Sequence, residues 1–150
     1  MNQNWPKWIY ASVDKCIRTA LAADSLAIYN DFQQQPQPQV SPRLEFAING
    51  PDISEPGAST TYLYIQLVVL VSNIRSETDW LSTPKLQGLG QKAMPGCIPV
   101  YKFGTGGDDT QAQLGILIRD DRVKTLSLGH QDKSNVLRQI GLMANYRMDL

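Results

Sequence analysis

A long run of β-forming residues at positions 60–74 limits the possible folds of this chain more than any other segment. One side of an extended strand here would carry only aliphatic side chains, namely Leu63, Ile65, Leu67, Val69 and Val71. The other side is mixed and places Val68 and Leu70 among tyrosines and polar residues. Because β-branched and aromatic residues on both sides favour burial within a sheet, the run predicts an interior strand.

A shorter strand is predicted just before this run. Positions 44–49 alternate apolar residues with polar or small ones, and Gly50-Pro51 is expected to end the strand. Turn-forming residues at 52–59 then predict an antiparallel hairpin between the two strands.

The second half of the chain predicts three or four more strands, from patterns at positions 98–103, 111–119, 123–128 and 136–148. The strand at 111–119 is apolar on both sides, with Leu114, Ile116 and Ile118 opposite Gly115 and Leu117. Asp120 and Asp121 are expected to form the turn that follows it.

An amphipathic helix is predicted near the start of the chain. Asn4 precedes Trp5-Pro6 as a helix N-cap before a proline in the first turn. Apolar residues then recur every three or four positions, which predicts a helix to about Ala27. The glutamine- and proline-rich positions 33–42 predict a polar connector from this helix to the first strand.

A second helix is predicted from about Ser76, with a restart at Thr83-Pro84 and an end at Pro95-Gly96. Its apolar face would consist of Leu86, Leu89 and Ala93. Gly88 and Gly90 are each expected to weaken the helix by up to about 1 kcal/mol relative to alanine.

The order of these elements predicts an α+β fold: a mostly antiparallel sheet with two helices packed on one face. The chain has 150 residues, which fits a single domain over positions 1–150. Val68 and Leu70 place apolar side chains on the second face of the sheet, and we expect something to bury them. Either another chain covers it, or the sheet curls and the C-terminal strands fold over it.

Charge and hydropathy exclude several classes of protein. Fourteen basic residues balance fourteen acidic ones, and the balance holds in each third of the chain. No segment therefore resembles a basic arm for nucleic acid or an acidic tail. The longest apolar run, at 67–71, is far shorter than the ~20 residues that span a bilayer. No signal peptide is apparent at the start, so we expect a soluble protein folded in a cytoplasm.

Candidates for metal binding or catalysis are few. Cys16 and Cys97 lie far apart in the chain from each other and from the single histidine, His130, a spacing that does not fit a zinc site. We expect both cysteines to be ordinary small apolar residues and His130 to be a solvated residue in a turn. The sequence thus predicts no catalytic residue, no metal site and no cofactor.

One loop could be mistaken for a catalytic motif. It is the glycine-rich segment that contains Gly104, Gly106, Gly107, Asp108 and Asp109. It is not a phosphate-binding loop, because no Lys-Ser/Thr pair follows to open a helix. Its composition is typical of a flexible hairpin loop.

Taken together, the element order resembles that of the tail-terminator (tail-completion) proteins of long-tailed bacteriophages. The resemblance covers nearly the whole chain: the helix that starts Trp5-Pro6-Lys7-Trp8-Ile9, the strand at 44–50, the long strand at 61–74, the helix near 83–94, the segment at 98–104 and the closing strand that ends Tyr146-Arg147-Met148. It is a match of pattern, since the family has little sequence signature.

The resemblance implies a structural, non-enzymatic virion protein. Such proteins form a ring, usually hexameric, that caps the tail tube, ends its growth and meets the head-completion or connector proteins. It implies a location in the tail or neck of the virion after assembly in the bacterial cytoplasm, with no membrane contact. Genome DNA would pass through the ring without sequence-specific binding, and the loop with Gly104, Gly106, Gly107, Asp108 and Asp109 would line the pore or contact a neighbour.

Other functions stay open at this point. Head-completion or neck proteins and tail-tube proteins of the same virion class are similar in size and also form rings. A small enzyme or ligand-binding domain is the alternative from a different class, and a deep apolar pocket with converging polar groups would favour it.

Overall fold

The computed structural model describes residues 5–24, 27–30, 43–53, 62–74, 82–102, 112–120, 122–130 and 137–149. The helices of this part are α1 (Trp5–Ala20), a 3-10 turn (Ala22–Asp24) and α2 (Ser82–Lys92). The strands are β1 (Ala27–Asn30), β2 (Arg43–Ile53), β3 (Tyr62–Ile74), β4 (Cys97–Lys102), β5 (Ala112–Arg119), β6 (Lys124–His130) and β7 (Leu137–Asp149). Neither helix of these ranges has the length and apolar character to cross a membrane.

The strands form one sheet in the order β1-β2-β3-β7-β5-β4, and β6 also pairs with β7. The predicted hairpin is confirmed, since β2 and β3 pair antiparallel with Phe46 opposite Val69. On its other side β3 pairs with β7 over its whole length, from Tyr62 opposite Asp149 to Ile74 opposite Leu137. The 60–74 run is therefore an interior strand, as its composition predicts.

Both helices pack on the face of the sheet that carries the aliphatic side of β3. Helix α1 buries a stripe formed by Trp8, Ile9, Ser12, Val13 and Ile17. It contacts β2, near one edge of the sheet, and also β4, the strand at the other edge, so the sheet curls around α1. Helix α2 packs on β3 and β7. This is the predicted α+β architecture, with one buried apolar cluster between helices and sheet.

Helix α2 approaches the sheet closely at one glycine. Leu86, Leu89 and Ala93 are buried, as their spacing predicts. Between them, a Cβ built on Gly90 would overlap Cδ1 of Leu142 and lie 3.4 Å from Cγ2 of Val71. Gly90 therefore lets α2 lie against β3 and β7, whereas a Cβ on Gly88 would meet nothing within 4 Å.

The segment after α2 is fixed to β5 and β7 by hydrogen-bond donors of Arg119 and Tyr146. The hydroxyl of Tyr146 donates to the carbonyl oxygen of Pro95 at 2.6 Å. Nη1 of Arg119 donates to the carbonyl oxygen of Met94 at 2.5 Å, and its backbone N–H donates to Gly96 at 2.9 Å. Carbonyls just beyond the helix thus obtain partners, as helix ends require.

Two sequence predictions about the first half of the chain are wrong. Helix α1 ends at Ala20, and residues Ala27–Asn30 form β1, which pairs parallel with β2. Gly50-Pro51 does not end β2, because the strand continues to Ile53 with an irregular register between Asn49 and Asp52. Gly50 adopts a φ of 105°, a conformation that other residues rarely reach, and its peptide bond to Pro51 is cis.

The other predicted helices and strands agree with the structure within a few residues. Three predictions lie outside the described residues: the connector at 33–42, most of the turn at 52–59 and the helix start at Ser76. His130 was expected in a turn, but its backbone forms the end of β6, opposite Arg138.

Candidate interaction surfaces

The glycine-rich loop predicted as a contact site lies outside the described residues. This applies to Gly104, Gly106, Gly107, Asp108 and Asp109 alike. The strands on either side of it, β4 and β5, pair antiparallel up to Lys102 opposite Ala112. The segment therefore connects two neighbouring strands at one end of the sheet.

The two cysteines have different environments. Cys16 is half-buried on α1 and packs against the core, whereas Cys97 is exposed on β4. Burial raises the pKa of the Cys16 thiol, and the nearby Cys97 raises it further. Both thiols are free, and the described residues contain no group of three or more His, Cys, Asp or Glu side chains that could hold a metal ion.

The face of the sheet opposite the helices, which we call the helix-free face, carries a polar centre. Asn49, Gln66 and Asn145 lie side by side on β2, β3 and β7. Nδ2 of Asn49 donates to Oε1 of Gln66 at 2.8 Å. These side chains line a shallow hollow of ≈ 420 Å³ together with Asp52, Tyr64, Ile65 and Asp120.

Aromatic and charged side chains lie beside this polar centre, near the first residues of β3. The rings of Tyr62 and Tyr64 meet edge to face with centroids 6.0 Å apart, and the Arg147 guanidinium lies 4.8 Å from the Tyr62 centroid. Nε of Arg147 also lies 3.7 Å from Oδ1 of Asp120. The region offers hydrogen-bond donors and acceptors but no deep apolar pocket.

Val68 and Leu70, also on the helix-free face, are half-buried. Strand β7 does not fold over them, because it lies beside β3 in the same sheet. Glu45, which lies opposite Leu70, is 7% exposed. Its Oε1 forms an ion pair with Nη2 of Arg43 at 3.0 Å. The side chains of Val68, Leu70 and Glu45 are thus half-buried or buried.

The opposite end of the helix-free face exposes an apolar ridge, which consists of Ile116 and Ile118. Their side chains are 44% and 57% exposed, which is high for isoleucine. On β4, Pro99 lies directly opposite Ile116 and Cys97 opposite Ile118. The isoleucine ridge and these two neighbours make a continuous apolar strip across the two strands.

The pairing of β5 explains why these isoleucines are outside. Ile118 lies opposite Arg147, and Arg119 lies opposite Tyr146, whose side chain is buried on the helix side. Residues of β5 that alternate with Ile118, such as Leu117 and Gly115, therefore face the helices. Leu117 is therefore buried, and a Cβ on Gly115 would lie 2.6 Å from Sδ of Met148. The sequence signal for the ridge was the apolar character of β5 on both sides, but the pattern does not tell which side is buried.

A second exposed apolar surface lies on α1. It is a shallow hollow of ≈ 470 Å³ lined by Pro6, Lys7, Tyr10, Ala11 and Asp14, which we call the α1 hollow. The Tyr10 ring lies 5.7 Å from that of Phe46 on β2, so the hollow is on the flank of α1 near β2. At the rim of this hollow, Oδ1 of Asp14 forms an ion pair with Nε of Arg18 at 3.0 Å.

Comparison with known proteins identifies the fold but no family. A scan against models of protein families finds no match, and neither does a search of curated proteins. One matching solved structure has only a sequence identifier as its name. Its TM-score is 0.64 at 11% identity, with 97% of this chain and 96% of that chain covered.

A second matching structure is a chain from the virion of a native gene transfer agent particle. Its TM-score is 0.56 at 12% identity, and the match covers 99% of this chain and all of that chain. At such identities the likeness concerns the fold alone. The match extends over nearly the full length of both chains.

Proposed function

We propose that this chain is a structural virion protein that forms a ring at the head–tail junction, caps the tail tube and ends its growth. In this proposal the chain is a single tail-terminator-like domain that acts without catalysis or a cofactor. The observation that carries the proposal is the full-length likeness in fold to a chain of a gene transfer agent virion. The element order, which resembles that of tail terminators, supports the same role.

The proposal assigns partners on both sides of the ring. The tail-tube protein lies on one side, a head-completion or connector protein lies on the other, and genome DNA passes through the centre. The loop with Gly104, Gly106, Gly107, Asp108 and Asp109 lines the pore or contacts a neighbour. The protein is located in the tail or neck of the virion and assembles in the cytoplasm of the bacterial host.

The native mass and negative-stain appearance of the purified protein, over a range of concentrations, test this function. A closed ring of about 100 kDa, six times the 16.7 kDa of one chain, is the expected result. Open tubes of indefinite length would instead favour a tail-tube protein.

A second measurement separates a terminator from a neck protein. Purified tail-tube protein is allowed to polymerise with and without this chain, and tube lengths are measured by electron microscopy. A terminator stops growth and caps one end, while a head-completion protein leaves the length distribution unchanged. A chain that stays monomeric and leaves tube growth unaffected would overturn the proposal.

A further inference from the structure

The path of the sheet ends at two strands, β1 and β4, which we call the edge strands. Within the described residues, β1 pairs with β2 alone and β4 pairs with β5 alone. The outer side of an edge strand presents backbone N–H and C=O groups that can pair with a strand of another chain. Side chains of α1 form hydrogen bonds with the backbone of both edge strands.

Pro99 indicates which backbone groups of β4 point away from β5. A proline has no N–H, so within a sheet it stands on an edge strand where the missing donor would face outward. Leu114 on β5 is the extra residue of the irregular register, so the alternation along β4 is kept, and the N–H of Tyr101 also faces outward. The hydroxyl of Ser12 accepts a hydrogen bond from this N–H at 3.0 Å. Two successive outward donor positions of β4 are therefore blocked.

The hydrogen bond between Ser12 and Tyr101 is protected from an approaching chain. Ser12 is 2% exposed, because α1 packs along β4. Next to Tyr101, the exposed Lys102 holds its Nζ 5.7 Å from the centroid of the Trp8 ring on the same helix. A strand that added to β4 would have to displace a buried hydroxyl and lie beside this charge, which disfavours pairing.

At the other end of the sheet, Arg18 of α1 blocks a backbone acceptor of β1. Its Nη2 donates to the carbonyl oxygen of Ile28 at 3.3 Å. Its Nε donates to both carboxylate oxygens of Asp14, at 3.0 and 3.1 Å, and these bonds hold the guanidinium in place. Strand β1 has four residues, and a short edge strand offers few groups for pairing.

We propose that helix α1 blocks both edge strands from backbone pairing with other chains, so that the sheet is not extended at β1 or β4. One helix serves both edges because the sheet curls around it. Contacts of these strands with another copy or with a virion partner then use side chains. This inference goes beyond the proposed function and does not rest on it.

Substitutions that reopen the edge of β4 test the proposal. In the double variant Ser12→Ala/Pro99→Val the helix loses its acceptor and the strand regains an N–H. We expect assemblies larger than those of the wild type in sedimentation velocity, with a several-fold rise in thioflavin T fluorescence and in the infrared band of intermolecular β-sheet. The matched control is Thr19→Ala/Pro6→Val, which makes the same kinds of change at exposed positions of α1 and should keep the wild-type distribution.

A second control separates an open edge from a general loss of stability. Gly90→Ala places a methyl group against Leu142 and should destabilise the packing of α2 while both edge strands stay blocked. Circular dichroism checks that each variant folds, and Pro99→Val alone is judged by the same criteria where the double variant does not fold. A wild-type mass distribution in the folded variant, or equal assembly of Gly90→Ala, would overturn the proposal.

Arg18→Ala tests the edge at β1 with the same measurements. Lys7→Ala, at another exposed position of α1, is its control. We expect a rise in assembly that is smaller than for β4, because β1 has only four residues. Assembly no greater than that of Lys7→Ala would overturn the block at β1. Every variant is compared with the wild type's own mass distribution, so these results stand apart from whether the wild type forms a ring.

Discussion

The hydroxyl of Ser12 accepts a hydrogen bond from the backbone N–H of Tyr101 at 3.0 Å and so joins α1 to the edge of the sheet. Lysine–aromatic contacts lie nearby, since Lys15 Nζ is 5.9 Å from the Tyr101 ring and Lys102 Nζ is 5.7 Å from that of Trp8. Unpaired strand edges promote aggregation. Here the helix supplies an acceptor to the edge strand β4, at the point where its register with β5 shifts.

We expect Ser12→Ala to destabilise the protein by about 1–3 kcal/mol. Ser12 is 2% exposed, so its removal leaves the Tyr101 N–H without this acceptor in a region that water reaches poorly. The free energy of unfolding in urea measures the effect. Thr19→Ala, on an exposed position of the same helix, should change it by less than about 0.5 kcal/mol. Equal stability of the two variants would contradict the proposed role of the hydrogen bond.

The two glycines of α2 should respond to alanine in opposite directions. Gly88→Ala meets nothing within 4 Å, so the better helix propensity should stabilise the protein by up to about 1 kcal/mol. Gly90→Ala places a methyl group against the buried Leu142, and overpacking of this kind costs about 1–3 kcal/mol. Thermal unfolding of both variants is the measurement. A stabilising Gly90→Ala would show that α2 does not lie this close to the sheet.

Tyr146 should make the protein sensitive to alkaline pH. Burial raises the pKa of its hydroxyl above the usual value of about 10, although the Arg119 charge opposes this. The folded state then holds the proton more tightly than the unfolded state. Its contribution to stability is complete below about pH 10 and declines as the pH rises further.

The variant Tyr146→Phe tests this linkage. At neutral pH the free energy of unfolding of this variant should be about 1 kcal/mol lower than that of the wild type, because the Pro95 carbonyl loses its hydrogen-bond donor. Between pH 9 and about 11 it should lose less stability than the wild type, since the titrating group is absent. Urea unfolding at several pH values measures both effects, with Tyr64→Phe on the exposed face as the control. A parallel loss in Tyr146→Phe and the wild type would argue against a raised pKa at this site.

The cysteines should react with alkylating agents at different rates. The thiolate is the reactive form, and Cys16 is half-buried with a raised pKa, so we expect it to react about tenfold or more slowly than the exposed Cys97. Mass spectrometry over time should show a fast phase that Cys97→Ser removes. A faster reaction at Cys16 would be inconsistent with its burial.

The elements that the sequence predicts well are those whose pattern is set by local periodicity. The aliphatic side of β3 is buried throughout, from Leu63 to Val71, because a strand alternates sides at every residue. The buried stripe of α1 follows the helical period in the same way. Such patterns show which residues share one face of a helix or strand. Because the apolar face of a helix and the apolar face of a sheet bury each other, these patterns predict a layer of helices on a sheet.

The missed elements depend on pairing between distant segments. The helix is predicted to reach about Ala27, but residues Ala27–Asn30 form a strand that pairs parallel with β2. Gly50-Pro51 is a common strand breaker, yet pairing with β3 on both sides of it keeps β2 continuous. Pairing partners of this kind lie outside any window of local sequence.

Local patterns of apolar residues were enough to predict the two layers, the interior position of β3 and the apolar faces that meet between helices and sheet. These patterns leave open which side of β5 faces the helices, because a strand that is apolar on both sides satisfies either orientation. The pairing of Ile118 with Arg147 on β7 makes that choice and turns Leu117 inward. As a result, Ile116 and Ile118 lie on the exposed side of β5.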